Sequence, residues 1–323
     1  MTIDQYPFKS TWPAKSAVLR HLGLLALLLA ATPAAVAQVE LSGTWHQLTH
    51  EDKAERGTGP EIGDYTGIPL NDAARLRAET WDADKWTVPE HQCEPHPVDY
   101  APHGPAHIRT WSEVDPESQR VVAWHMTHAW MITTRSIWMD GRPHPSVDSR
   151  HTWMGFSTGE WHGDVLEVKT THMKEGWIRR NGVPRSDAGT LTEFFIRHGS
   201  YLTLVSVVED PVYLTEPEIR SWNWVLDLGY QLAPYPCSYR VETPRAKGYV
   251  AHWLPGTNPQ TGDFARAHHL PPEVGAGGAK TLYPEYRHEL ARLMAAQGLS
   301  KAAQSEKRAA PATRETPAPG SPQ

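Results

Sequence analysis

The stretch 151–198 carries side chains of the right types for proton transfer. If 165–172 is extended, Leu166, Val168, Thr170 and His172 share one face, which sets an imidazole at the end of an apolar row. If 189–197 is extended, Glu193 shares a face with Leu191 and Phe195, so a carboxylate lies among large apolar groups. Such a setting suits a general acid or base. Asp187, Arg179 and Arg180 fall in the loop between these stretches, and scaffolds commonly carry binding groups on loops. His172, Glu193 and Asp187 are therefore the candidate catalytic residues. Arg179, with Arg180 beside it, is the candidate anion clamp. His151 and Trp153, together with Asp64 and Tyr65 on an earlier loop, are the further candidate substrate contacts. The competing reading is a structural His–Asp or Arg–Glu network that holds a long loop, since ion-pair networks imitate sites well.

Other motifs point less firmly. Gly155-Phe156-Ser157-Thr158-Gly159 fits the G-x-S-x-G elbow, but that motif needs a helix after the serine and 161–172 alternates as a strand. A hairpin loop is the better reading. His91-Gln92-Cys93-Glu94-Pro95-His96, with His103 and His107 nearby, has metal-ligand types at close spacing. A disulfide at Cys93 would take the thiolate out of that cluster, and a Pro-stiffened, disulfide-tethered loop is preferred. His125 and His128 lie three apart on a candidate strand and so point to opposite faces. Gly57-Thr58-Gly59 has no Gly-Lys-Ser/Thr and no helix behind it, so it is not a phosphate cradle.

These residues need a scaffold, and the pattern predicts strands. Candidates are 39–50, 106–114, 120–131, 134–140, 155–161, 165–172, 189–197, 201–208, 219–226 and 238–241, separated by turn signals such as Asp115-Pro116 and His162-Gly163-Asp164. A short helix is expected at 71–82, capped by Asn71, and another at 284–297. Strand–helix–strand alternation is missing, which excludes a doubly wound parallel sheet. The fold class expected is all-β, mainly antiparallel, a barrel or sandwich with short peripheral helices. It forms one domain over 38–298 with a disordered tail at 299–323.

The amino end reads as an export signal. Lys15 and Arg20 precede the apolar run 22–31, and Ala35-Val36-Ala37 closes it. That run is too short for a spanning helix, which needs about 20 residues, so 1–37 is expected to be cleaved, leaving a periplasmic or secreted protein with no membrane anchor. The formal charge of −6 argues against a nucleic-acid partner, which would require a basic stripe. Cys93 and Cys237 are the two cysteines of the chain, and in an oxidising compartment they are expected to pair. The excess of 14 Trp and 18 His fits a pocket for an organic ligand with acid–base groups close by.

Several segments, 41–45, 138–145, 159–164, 171–182 and 210–217, together resemble an uncharacterised family of exported bacterial proteins over most of the mature chain. The resemblance implies export and no particular activity. Gly43-Thr44-Trp45 near the mature amino end also resembles the lipocalin first strand, whose Gly-x-Trp plugs the barrel floor; Gly159-Glu160-Trp161 repeats the pattern. It favours a lipocalin-like barrel over a sandwich, with a ligand site at the mouth or in the interior.

The function expected is an exported enzyme of lyase, isomerase or hydrolase type, acting on a small apolar, aromatic or cyclic molecule by His/carboxylate chemistry. A non-catalytic carrier of such a ligand and a metal-binding periplasmic protein are the alternatives. The residues name no cofactor.

Overall fold

A computed structural model of the chain describes residues 39–48, 60–103, 107–129, 131, 133–233, 235, 237–241 and 243–298. The expected signal segment, the expected disordered tail and Gly57-Thr58-Gly59 lie outside the described residues.

The described chain is a lipocalin-like all-β barrel. Nine strands close it: β1 (Gly43–Leu48), β2 (Ile108–Val114), β3 (Val121–His128), β4 (Thr134–Trp138), β5 (Phe156–His162), β6 (Val165–Thr171), β9 (Thr190–His198), β10 (Tyr201–Glu209) and β11 (Glu218–Leu226). The order around the wall is β1-β11-β10-β9-β6-β5-β4-β3-β2. Every pair is antiparallel except β4–β5, which is parallel. A parallel pair needs a long crossover, and residues 139–155 supply it. A separate two-stranded ribbon, β7 (Gly176–Arg179) and β8 (Val183–Arg185), stands outside the wall. The sequence pattern does not reveal these two short strands. It also expects a strand at 238–241, where the chain is exposed coil. Ser238, Tyr239 and Arg240 alternate nothing buried with exposed residues, so no sheet face holds them.

The helices are short. α1 (Asp72–Glu79) is capped by the Asn71 side chain, which accepts from the Ala74 amide. A 3-10 turn (Ala83–Thr87), α2 (Pro89–Gln92), α3 (Asp263–Ala267), α4 (Pro272–Gly275), a second 3-10 turn (Ala279–Leu282) and α5 (Tyr286–Ala296) complete the set. None of the helices among the described residues is long and apolar enough to cross a membrane.

The barrel interior is filled, and it divides into two layers. The lower layer is apolar: Trp45, Trp124, Ile137, Leu166, Phe195, Leu202 and Trp224 are all buried. The void left among them is about 10 Å³, room for one water at most. Trp45 is fully buried, and its indole N–H donates to Leu41 O and Thr110 Oγ1. The upper layer is polar and centred on one ion pair. Arg135 grips Glu193 with two parallel bonds, Nη1 to Oε1 at 3.0 Å and Nη2 to Oε2 at 2.7 Å. Nη2 also donates to Ser157 Oγ and Thr170 Oγ1, and those two hydroxyls bond each other.

The upper end is closed by chain rather than left open. The connections from Leu48 to Ile108, His128 to Thr134, Thr171 to Thr190 and Glu209 to Glu218 all lie at this rim, and the 139–155 crossover, which leaves Trp138 at the opposite rim, arrives here at Phe156. Residues 95–103 lie across it. Gln47 Nε2 donates to Pro102 O, His103 meets Arg220, and Asp99 pairs with the fully buried Arg185 of β8 at 2.9 Å. Above that plug, α1, β7 and β8 share a second apolar core that includes Ile68, Leu70, Ala78, Ile178 and Val183.

Cys93 and Cys237 form a disulfide across 144 residues. It pins the coil that follows β11 to α2, as an oxidising compartment permits.

Candidate functional site

The residues singled out from sequence periodicity do not form one centre. Glu193 is inside the barrel on Arg135, both side chains 2% exposed. His172 is not on the same face as Leu166, Val168 and Thr170. β6 ends at Thr171, and His172 takes a left-handed backbone conformation, φ 57°, which breaks the alternation its assignment relied on. Its ring lies instead beneath the 139–155 crossover. Ser146 offers only a carbonyl, so His172 Nε2 donates to it at 2.7 Å and Nδ1 accepts from the Thr171 hydroxyl at 2.7 Å. His144 Nδ1 then donates to Thr171 Oγ1, and its Nε2 accepts from Thr158. Both nitrogens of both imidazoles are used in tying the crossover to the outer wall.

The remaining candidates are also dispersed. Arg179 pairs with Asp64 at 3.1 Å and donates to Asp64 O, fastening the 60–69 loop to β7. Tyr65 is buried next to them, and burial, followed by the nearby Glu79 and Asp64, pushes its phenol up. Asp187 is exposed in the β8–β9 loop. His151 Nδ1 bonds Met173 O, and its ring meets that of His172 edge-on. Trp153 is half-buried against Trp177 and Lys174. Ser157, the serine of the G-x-S-x-G segment, is 1% exposed in the middle of the sheet with a strand continuing after it, so no nucleophile elbow exists. His125 and His128 face opposite ways: His125 reaches Glu113 and Ser136 while His128 is buried.

What the fold does bring together is a tryptophan-walled cleft above the plug. It measures about 390 Å³ and is lined by Trp81, Trp177, Lys85, His91, Glu94 and His252 among others. Trp81 follows the end of α1, Trp86 and Lys85 sit on the first 3-10 turn, and Trp177 is on β7. The 3-10 turn is started by Asp82, whose side chain accepts from the Asp84 amide. Ring centroids of Trp81 and Trp86 are 5.9 Å apart, and those of Trp86 and Trp177 are 5.4 Å apart. The Lys85 ammonium lies 5.3, 5.4 and 5.3 Å from the Trp81, Trp86 and Trp177 rings, a cation seated in an aromatic cage. Gly182 makes the approach of Trp81 possible: at φ 99° it carries no Cβ, and one would fall 2.5 Å from Trp81 Cβ and 2.8 Å from Ala78 O.

The chemistry of the cleft is concentrated on Glu94. Its Oε2 accepts from His91 Nδ1 at 2.9 Å and lies 3.6 Å from Lys85 Nζ. The carboxylate engages Nδ1 and so fixes the orientation of the His91 ring. Trp177 adds a donor. It is 4% exposed, and its Nε1 has no acceptor among the described residues, which is costly for a buried N–H unless a ligand or water accepts from it.

A second cleft of about 460 Å³ adjoins the first. Trp86, Gln92, Glu94, His96, Met131, Arg180, Tyr235, Cys237, Ser238 and Arg240 line it. Glu94 belongs to both. The sequence cluster at 91–96 thus contributes Glu94 and His96 to this lining, while Cys93 is taken up in the disulfide. No group of three or more His, Cys, Asp or Glu that could hold a metal occurs among the described residues. Trp81, Trp86, Trp177 and Lys85 were not foreseeable as a group. The one signal was the pair Lys85-Trp86 close to a cysteine, and it gives no hint of Trp177.

His96, on the floor of the second cleft, and His128, beneath it in the barrel, are both neutral. Desolvation, then Arg180 and His128, lowers the pKa of His96 to about 3. Desolvation, then Arg135, lowers that of His128 to about 3. Unfolded histidines titrate near 6.5, so between those values the unfolded chain binds the extra protons and stability falls as pH falls. Each site contributes a slope of up to about 1.4 kcal/mol per pH unit. Urea midpoints measured between pH 6.5 and 5, above the range in which carboxylates titrate, should decline, and His128→Leu should make that slope shallower. A flat midpoint over this window would show that these imidazoles are not held neutral.

No protein-family model matches the chain, and no curated protein or solved structure matches it.

Proposed function

We propose that this chain is an exported β-barrel protein that takes a small cyclic or aromatic molecule into the cleft walled by Trp81 and Trp177, with Trp86 of the adjoining cleft beside it. There His91, oriented by Glu94, moves a proton on it. The observation that carries the reading is the contact of the His91–Glu94 pair with a tryptophan-walled cleft of ligand size. Pockets for organic molecules commonly run from about 300 to 1,000 Å³ and combine aromatic walls with a few convergent polar groups. Lys85 and the Trp177 N–H suit an oxygen on the ligand that gains negative charge as a proton leaves carbon. That supports lyase, isomerase or hydrolase chemistry. The Cys93–Cys237 disulfide supports an extracytoplasmic setting.

The test starts with a thermal-shift and tryptophan-fluorescence screen of aromatic and cyclic compounds, followed by turnover assays on any that bind. Trp86→Ala should weaken binding about ten-fold. His91→Gln and Glu94→Gln should lower kcat by about 10²–10⁴-fold with affinity nearly unchanged. Binding that survives with turnover equal in all three proteins would reject the proton-transfer role and leave a carrier of the same ligand.

A further inference from the structure

We infer that the second cleft is an anion subsite, so that the ligand is an aromatic or cyclic carboxylate, its ring on Trp86 and its carboxylate on Arg180 and Arg240. This rests on the reading of the tryptophan cleft as a ligand site and adds the chemical class of the ligand.

The charge pattern points this way. The chain is acidic overall, with a formal charge of −6. Yet the charged side chains lining this cleft are Arg180, Arg240 and Glu94. Glu94 is the one carboxylate of that lining, and it already faces Lys85 and His91. Neither arginine side chain meets a carboxylate among the described residues, whereas Arg135, Arg179, Arg185 and Arg220 each do. Two guanidinium groups on one concave surface without acidic partners are arranged for an anion brought from outside.

The backbone that carries Arg240 is held in place. Arg240 lies on coil, but both of its backbone polar groups are clamped by one side chain: Gln92 Oε1 accepts from the Arg240 amide at 2.6 Å and Gln92 Nε2 donates to its carbonyl at 2.7 Å. The Cys93–Cys237 disulfide fixes the same coil three residues earlier. In the same lining the Arg180 guanidinium sits 4.8 Å from the Trp86 ring centroid. A ring laid on Trp86 therefore places a carboxylate one or two bonds away within reach of Arg180. Ser238 and Tyr235 add hydroxyl donors to the same lining.

The experiment uses matched pairs that differ only in charge: 2-naphthylacetate against 2-naphthylacetamide, and 4-biphenylacetate against 4-biphenylacetamide. Binding to the full disulfide-bonded protein is followed by calorimetry and tryptophan fluorescence. Each acid is expected to bind at least about ten-fold more tightly than its amide. Arg180→Gln with Arg240→Gln should bring the acid-to-amide affinity ratio to about one, and an unchanged thermal midpoint of the double variant reports that the fold around the cleft is intact. Equal binding of acid and amide to the unsubstituted protein, or a preference that persists in the double variant, overturns the anion subsite and leaves the tryptophan cleft standing. Failure of all four compounds to bind overturns both.

Discussion

Glu193→Ala should lower the unfolding free energy by about 3–5 kcal/mol, because it strands a guanidinium in the barrel. Arg135 and Glu193 are both 2% exposed and joined by two short bonds. Removing the carboxylate leaves the Arg135 guanidinium facing the Ser157 and Thr170 hydroxyls, and neither carries charge. Replacing both charges together is a different matter. Arg135→Met with Glu193→Leu should be near neutral or stabilising by up to about 4 kcal/mol, since two desolvated ions give way to apolar volume and Ser157 and Thr170 still satisfy each other. Denaturant titration of the two single variants and the double variant checks this. The same proteins bear on function. Glu193 is enclosed in a filled interior, so the double variant, if folded, should bind and turn over any ligand found for the cleft as the unsubstituted protein does. Loss of turnover with stability intact would return Glu193 to the chemistry.

Breaking the disulfide, by Cys93→Ser with Cys237→Ser, should disable the clefts more than the fold. In the chain-entropy picture, closing 144 residues stabilises by roughly 5 kcal/mol, but that figure assumes that the native state stays as ordered without the link. The coil at 227–253 is mostly exposed. Its other anchors include the Gln92–Arg240 clamp, Arg245 on Asp84 at 2.9 Å, Tyr249 on Asp82 at 3.0 Å, the bridge of His252 to Trp81, the Trp253 amide on Thr80 O and the Tyr230 ring against His46 and His107. Without the covalent link this coil should open locally, as weakly packed segments do, and the native state regains entropy. The expected result is a loss of global stability well below that figure, combined with fast amide exchange over 238–250 and at least about ten-fold weaker ligand binding. Both clefts lose a wall when the coil leaves, since it supplies Val250, Ala251 and His252 to one and Tyr235, Ser238 and Arg240 to the other. Retained protection over this coil with unchanged affinity would show that the weaker contacts suffice.

What the sequence by itself determined is the local and repetitive part. Period-two alternation places the nine barrel strands within a few residues, the Asn71 cap places the start of α1, and an even cysteine pair yields the disulfide. Those signals are local, or in the case of the cysteines leave one possible pairing. Lipocalin-like closure follows from many short strands and from Trp45 at the floor. The site was legible only in pieces. Alternation put Glu193 inside correctly but could not supply its partner, because Arg135 is 58 positions away and register across a barrel is set by closure. It misplaced His172, because one left-handed residue ends the period on which face assignment depends. The cleft lay beyond reach altogether. Trp81, Trp86 and Trp177 meet only because α1, a 3-10 turn and β7 stack on a plugged barrel end, where the packing of insertions, not the pleat of a sheet, decides which side chains share a wall.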